Sequence, residues 1–198
     1  MIAKIMGIGD AGCAFVTRLN YMKTPNDSYH TIALNTVWHP YDLVHADEHH
    51  RLQAMHGLGT KGNPMIGRQL AEQHKDLLFD ILADTERLII TAGMGGGTGT
   101  GASHVVAYVA RELRIPTLAI VTTPFTFEGA QRRRLADLGI KALGKFADEV
   151  LAIHGDQVTA NLLDVAPFPN MGAPLADYYA AMQHQVAAQV RFHLRTDS

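Results

Sequence analysis

Residues 93–101 have the sequence GMGGGTGTG, in which six of the nine positions are glycine. This stretch follows an apolar run, RLIITA at 87–92, and precedes a segment with helical apolar spacing, ASHVVAYVAREL at 102–113. A glycine loop between a buried strand and a helix brings backbone N–H groups close to a phosphate, because no Cβ atoms obstruct the approach. Thr98 and Thr100 add hydroxyl donors. The sequence therefore predicts a phosphate cradle here and not a flexible linker.

Apolar runs and amphipathic segments alternate along the rest of the chain. Strands are predicted at 2–8, 29–35, 50–55, 87–92, 117–122 and 149–153, and helices at 12–22, 64–82, 102–113, 129–145 and 174–194. Such alternation is typical of a three-layer α/β fold, with a mostly parallel, Rossmann-like sheet and helices on both faces. We expect one domain over residues 1–198 that ends in the long helix at about 174–194.

Composition excludes several classes of protein. A formal net charge of −2 over 198 residues disfavours a nucleic-acid-binding protein that relies on bulk charge. No apolar run is long enough to span a membrane, and the first residues are expected to form a strand and not a signal peptide. Cys13 is the single cysteine, so the sequence predicts no internal disulfide and a reducing compartment, with the cytoplasm as the expected location.

Two common nucleotide-binding motifs do not account for the glycine loop. The P-loop pattern G-x-x-x-x-G-K-[ST] is absent. The segment GIGDAG at 7–12 matches G-x-G-x-x-G, but the following strand ends in Asn35-Thr36 and not in the acidic residue that a dinucleotide site requires. A Rossmann-type oxidoreductase that binds NAD is therefore a minor alternative.

Taken together, the loops resemble the nucleotide-binding domain of the tubulin/FtsZ superfamily, and of its FtsZ branch in particular. The segments that carry this resemblance are KIMGIGDAG (4–12), ALNT (33–36), HGLGTKGNPMIGR (56–68), GMGGGTGTGA (93–102), TTPFTFEGAQRR (122–133) and Asp156. The resemblance covers almost the whole chain, these segments occur in the expected order, and GGGTGTG is the signature of the family. The resemblance implies that the chain binds GTP or GDP, with Mg²⁺ as a further cofactor.

The resemblance also implies a set of nucleotide-binding residues. The first phosphate loop contributes Asp10, Ala11, Gly12 and Cys13, and the loop that senses the γ-phosphate contributes Thr60, Lys61, Gly62 and Asn63. The phosphate cradle contains Gly95, Gly96, Gly97, Thr98 and Gly99. Glu128 and Arg132 occupy ribose-contacting positions, and Asn35 and Thr123 are further expected contacts. Asp177 on the last helix corresponds to the aspartate that recognises guanine, whose N1–H and 2-amino donors adenine lacks.

Three departures from the family pattern modify these expectations. Asp10 would face phosphate oxygens, so we expect it to hold Mg²⁺ through water. Lys61 replaces a small residue, and it is either a partner of the γ-phosphate or a solvated lysine. The aromatic residue that stacks on guanine falls near Gly172, so Tyr178 or Phe168 is the expected substitute.

The family's catalytic acids lie in a loop after the long helix, and they act on GTP bound to the next subunit. The sequence ends in RTDS where this loop would begin, and it contains no matching acidic motif. We therefore predict no catalytic residue, little or no GTP hydrolysis by the chain alone, and a role in nucleotide-dependent assembly or its regulation. The expected partners are further copies or a full-length relative, with no nucleic acid and no membrane. The alternative is a polymerising GTPase with an altered subunit interface.

Two weaker signals remain open. The histidine-rich segment His45–His56 is interpreted as a polar loop and edge strand, with a metal site as the alternative. Cys13 begins a predicted helix beside the first phosphate loop, which either lowers the pKa of its thiol or leaves it a small packing residue.

Overall fold

The computed structural model describes residues 3–37, 43–53, 59–158 and 175–196. In chain order the helices and strands are β1 (Ala3–Ile8), α1 (Gly9–Tyr21), β2 (Tyr29–Asn35), β3 (Glu48–Arg51), α2 (Pro64–Gln73), α3 (Lys75–Leu82), β4 (Arg87–Gly93), α4 (Thr98–Glu112), β5 (Thr117–Thr123), a 3-10 turn (Thr126–Glu128), α5 (Ala130–Leu143), β6 (Glu149–His154) and α6 (Leu175–Thr196). In the part of the chain that the structure describes, no helix combines the length and apolar character needed to cross a membrane.

The described strands form one six-stranded sheet in the order β3-β2-β1-β4-β5-β6. Every neighbouring pair is parallel. The chain first winds outward from β1 towards β3 and then returns to β4 on the other side of β1. The loops that follow β1 and β4 therefore diverge, and they leave a crevice at the carboxyl edge of the sheet.

Both faces of the sheet are covered by helices. One core contains side chains from α2, α3, α4 and α5, among them Leu78 and Val106, packed on strand residues such as Met6. The other core contains side chains from α1 and α6, such as Phe15 and Val186, packed on the opposite face. Successive residues of β1 alternate between the two cores, as the pleat of a strand requires. The predicted three-layer α/β fold is confirmed.

Several boundaries differ from the sequence prediction. The helix predicted at 12–22 begins earlier, at Gly9. The helix predicted at 64–82 is divided at His74, whose φ of −109° and ψ of 26° leave the helical region. The helix predicted from residue 102 begins at Thr98, inside the glycine loop. The short strand predicted at 50–55 is β3, which begins earlier and lies at the edge of the sheet.

Candidate functional site

A cleft of about 440 Å³ opens at the crevice between the β1 and β4 loops. Eleven of the predicted nucleotide-binding residues line it: Asp10, Ala11, Thr60, Gly62, Gly96, Gly97, Thr98, Gly99, Thr123, Glu128 and Arg132. They belong to segments that are far apart in the sequence, and the parallel sheet brings them together because each follows a strand or precedes a helix at the same edge.

The glycine loop forms the floor of the cleft at the N-terminus of α4. Gly95 adopts a positive φ of 93°, and its N–H donates to Thr100 Oγ1 at 2.8 Å, which fixes the loop against the helix. A Cβ atom on Gly96 would have no atom of the described residues within 4 Å, its chain neighbours apart. The first turn of α4 contains no acidic residue. The N–H groups of the first turn of α4 have no partner within the helix, and they lie at the positive end of the helix dipole. They therefore face open space that an anion can occupy.

Buried threonine hydroxyls connect three loops beneath this floor. Thr36 Oγ1 and Thr98 Oγ1 share a hydrogen bond of 2.7 Å, and Thr60 Oγ1 lies 3.5 Å from Thr98 Oγ1. Thr36 follows β2, Thr60 precedes α2 and Thr98 begins α4. These contacts hold the three loops against one another.

Asp10 lies in the first turn of α1, and Asn35 lies at the end of β2. Asn35 Nδ2 donates to Asp10 Oδ1 at 2.8 Å, while Asn35 Oδ1 accepts from the N–H of Thr36. Asp10 lines the cleft, whereas Asn35 does not line it and is 5% exposed. Asn35 is thus placed to orient the Asp10 carboxylate towards whatever occupies the cleft.

The carboxylate of Asp10 has the donor chemistry that Mg²⁺ prefers. Within the described ranges, no group of three His, Cys, Asp or Glu side chains is close enough to hold a metal ion. A magnesium ion here would therefore need water and ligand oxygens beside Asp10, which is how Mg²⁺ is usually bound at phosphates.

Glu128 and Arg132 form one wall of the cleft. Arg132 donates to Glu128 Oε2 at 2.5 Å, and Glu128 Oε1 accepts from the N–H of Phe125 at 3.0 Å. Next to this pair, the Tyr179 ring meets the buried Phe125 ring edge-on, with centroids 5.6 Å apart. Burial and then the negative charge of Glu128 raise the pKa of Tyr179. Tyr179 is therefore held in place beside the wall.

Helix α6 closes the far end of the cleft. Tyr179, Met182 and Gln183 line it from α6, and Ala14 and Phe15 line it from α1. Arg18 on α1 is hydrogen-bonded to His184 on α6, so the two helices are joined directly. Sequence reasoning missed Tyr179 and Gln183, although their spacing of four residues places them on one face of the helix and was a signal that could have identified them.

The structure does not bring Asp177 into the lining of this cleft. Asp177 precedes Tyr179 by two residues, which is a rotation of about 200° around a helix, and its side chain is exposed. Tyr178 packs against Phe125 and Phe127, with ring centroids 6.0 Å and 6.4 Å away. Phe168 and Gly172 lie outside the described residues.

Four other predicted residues lie outside the lining of the cleft. Asn63 accepts from the N–H of Met65 at 2.9 Å and so caps α2. Gly12 is buried, and a Cβ atom there would meet the carbonyl oxygen of Thr91 at 2.5 Å. Gly95 shapes the loop as described above. Lys61 is exposed in a left-handed conformation, with a φ of 48°.

Cys13 is a packing residue in this structure. It is 2% exposed and belongs to the core formed by α1 and α6. Burial, and then the charge of Asp10, raises the pKa of the Cys13 thiol to about 12. The thiol therefore remains protonated at neutral pH, and the interpretation as a thiol with a lowered pKa is wrong.

The histidine-rich segment forms a polar edge on β3. Glu48 accepts from His30 and from His50, each at 2.8 Å, and these hydrogen bonds lower the pKa of Glu48. Asp47 pairs with Lys23 at 3.3 Å. His56 lies outside the described residues. The contacts are those of an ion-paired edge strand, which discourages pairing with another sheet.

Comparison with known proteins identifies the family. The family model "Tubulin/FtsZ family, GTPase domain" matches residues 2–162. Cell division protein FtsZ 1 of Pyrococcus furiosus is 38% identical over 167 residues, which are 82% of this chain and 43% of that relative. Cell division protein FtsZ of Coxiella burnetii is 49% identical over 102 residues, which are 52% of this chain and 26% of that relative.

Solved structures give the same result. An empty FtsZ dimer of M. jannaschii superposes with a TM-score of 0.85 at 29% identity, covering 97% of this chain and 54% of that one. CetZ2 from Haloferax volcanii, solved as a GTPγS-bound protofilament, shares the fold with a TM-score of 0.82 at 23% identity, covering 98% of this chain and 58% of that one. The chain spans about half the length, or less, of the relatives it matches. The chain therefore belongs to the Tubulin/FtsZ family and contains its GTPase domain.

Proposed function

We propose that this chain binds a guanine nucleotide, GTP or GDP, in the cleft at the start of α4. The observation that carries the proposal is the open space above Gly96, which faces the N-terminus of α4 and is bordered by Thr98. A phosphate group would receive several backbone N–H donors there. Membership of a GTPase-domain family supports the guanine nucleotide as the ligand.

We further propose that the bound nucleotide controls assembly. Met65 and Ile66, at the start of α2, are 67% and 36% exposed, and they follow the loop that contributes Thr60 and Gly62 to the cleft. An exposed apolar pair beside the phosphates suits a surface that a further copy or a longer relative covers when nucleotide is present. The process served by this assembly would be cell division or a related cytoskeletal role, as the names of the relatives suggest.

Hydrolysis by the chain alone is proposed to be slow. Among the described residues that line the cleft, the carboxylates are those of Asp10 and Glu128. Asp10 accepts from Asn35, and Glu128 accepts from Arg132 and from a backbone N–H, so both groups have hydrogen-bonding roles in the walls. Neither arrangement is that of a base poised over an attacking water, which phosphoryl transfer to water requires.

The second candidate is a polymerising GTPase, which the exposed Met65 and Ile66 favour.

Thermal unfolding with and without nucleotide tests the binding proposal. GTP or GDP at a hundred times its dissociation constant should stabilise the native state by about 2.7 kcal/mol, because ligand binds only the folded chain. For a domain of this size the midpoint temperature should rise by about 5–10 °C. NAD should leave it unchanged. A rise with NAD and none with either guanine nucleotide would show that the site is a dinucleotide site.

Phosphate release at several protein concentrations separates the two candidate functions. A low rate per molecule that is independent of concentration supports the slow-hydrolysis proposal. A rate per molecule that rises with concentration supports the polymerising GTPase, because the catalytic group is then supplied by a second subunit.

The proposed role of Asp10 in holding Mg²⁺ leads to a separate prediction. Wild-type affinity for GTP should fall about tenfold when EDTA replaces Mg²⁺, whereas Asp10→Asn should bind GTP equally in both conditions. Asparagine keeps the size of the side chain but removes its charge. Calorimetric titration in the two buffers measures the effect. If Asp10→Asn binds GTP more tightly than wild type in both buffers, Asp10 simply repels phosphate and holds no metal.

A further inference from the structure

We propose that Lys61 makes the cleft selective for a nucleoside triphosphate over the diphosphate, by placing its ammonium group beside the terminal phosphate. The inference rests on the proposed function, because it concerns the phosphate chain of a nucleotide bound at the glycine loop. It adds to that function the number of phosphates that the site prefers and the residue that sets this preference.

The glycine loop runs from one side of the cleft to the other. A Cβ atom on Gly95 would lie 2.7 Å from the carbonyl oxygen of Arg132, so this end of the loop packs on the wall that contains Arg132. A Cβ atom on Gly97 would overlap Thr60 Oγ1, so the other end packs on the segment that contains Thr60. Gly96 lies between these ends and lines the cleft. A phosphate chain that follows the loop therefore has one end at the wall and the other at Thr60.

The nucleoside belongs at the wall and the terminal phosphate at Thr60. Glu128 in the wall accepts from the N–H of Phe125, and the Tyr179 ring packs on the Phe125 ring. Tyr179 therefore lines the cleft on the side of the wall. A large ring of this kind suits the flat faces of a nucleoside and not a phosphate. The last phosphate of the chain is then the one that lies nearest to Thr60.

Residues 60–63 form a tight turn with Lys61 and Gly62 at its tip. The N–H of Asn63 donates to the carbonyl oxygen of Thr60 at 2.9 Å, and the φ angles of Lys61 and Gly62 are 48° and 77°. This is the pattern of a type I′ turn. Thr60 and Gly62 both line the cleft, and Lys61 between them is exposed. The flexible four-carbon stem of a lysine lets its ammonium group reach a phosphate that lies against either neighbour.

The conformation of the turn does not itself call for a lysine at position 61. The first tip position of a type I′ turn is dominated by Gly, Asn and Asp, because a positive φ is unfavourable for other side chains. What Lys61 adds is a positive charge. The described charged residues that line the cleft are Asp10, Glu128 and Arg132, and Arg132 is already paired with Glu128. A further phosphate brings more negative charge into this cleft, and a charge-assisted hydrogen bond from Lys61 compensates for it.

Calorimetric titration of the full chain with GTP and with GDP, at constant Mg²⁺ and ionic strength, tests the inference. The wild type should bind GTP at least about tenfold more tightly than GDP. Lys61→Asn should lower the affinity for GTP about tenfold and leave that for GDP within about twofold, because asparagine accepts a positive φ but carries no charge. Lys141→Gln, which removes the same charge from an exposed position in the last turn of α5, should change neither affinity.

Thermal unfolding without nucleotide shows whether Lys61→Asn is folded, and its midpoint should match or slightly exceed that of the wild type. The inference is overturned if Lys61→Asn leaves the ratio of the GTP and GDP affinities unchanged, whether both affinities fall together or neither falls. A wild type that binds GTP and GDP equally well would overturn it too. If neither nucleotide binds the wild type, the proposed function itself is wrong.

Discussion

Replacing Gly96 with valine is expected to abolish nucleotide binding while leaving the fold intact. The Cβ of a residue at this position enters space that contains no atom of the described residues within 4 Å, its chain neighbours apart, so the protein itself has room for the side chain. Gly96 does not have a positive φ, so a branched residue causes no backbone strain of that kind. The added methyl groups occupy the volume where a phosphate would approach the α4 N-terminus. We expect an affinity loss of at least about a hundredfold, or about 2.7 kcal/mol.

The matched control is Gly144→Val. Gly144 is exposed at the end of α5, and a Cβ atom there lies 3.5 Å from the Ile140 carbonyl oxygen, which is ordinary contact. Both variants should unfold near the wild-type temperature, and only Gly144→Val should be stabilised by GTP. Differential scanning fluorimetry at a saturating GTP concentration measures both quantities. If Gly96→Val is stabilised by GTP as much as the control, the phosphates do not lie at the glycine loop.

The glycine-loop end of this cleft could be predicted from the sequence because its geometry is local. A buried strand, a run of glycines and an amphipathic segment lie next to each other in the chain, and their order alone places N–H groups at a sheet edge. Even so, the glycine-threonine run was expected to be loop as far as residue 101, whereas α4 begins at Thr98. The helix accepts these poor helix formers because close packing against α2 compensates for their low propensity.

The end of the cleft at α6 could not be predicted in the same way because it depends on distant packing. The family resemblance places the guanine-recognising aspartate at Asp177 on the last helix. Which face of α6 meets the cleft is decided instead by Met182, Val186 and Val190, which pack against the sheet and α1. A difference of two residues along a helix changes the direction of a side chain by about 200°. The inward face of α6 is therefore set by tertiary packing, which a sequence motif does not contain.

Replacing Gly101 with alanine is expected to lower the free energy of unfolding by about 2–3 kcal/mol. A Cβ atom on Gly101 would lie 2.6 Å from the backbone nitrogen of Arg68 and 3.0 Å from the carbonyl carbon of Gly67, and closer still to the carbonyl oxygen of Pro64. These are backbone atoms of α2, so no side-chain rotation relieves the overlap. Helix α2 must therefore move away from α4, although alanine by itself favours the helical conformation.

The midpoint of thermal unfolding of Gly101→Ala should fall by about 5–10 °C, and Gly144→Ala is the control that should match or slightly exceed the wild type. The displacement of α2 should also weaken GTP binding, because α2 follows directly on the loop that places Thr60 beside Thr98 and Gly62 in the cleft. We expect both the lower stability and the weaker GTP binding, because both follow from disturbing the contact between α2 and α4. If Gly101→Ala is as stable as the wild type, α2 and α4 are far enough apart to accept a methyl group. The contact between them then does not position the loop before α2.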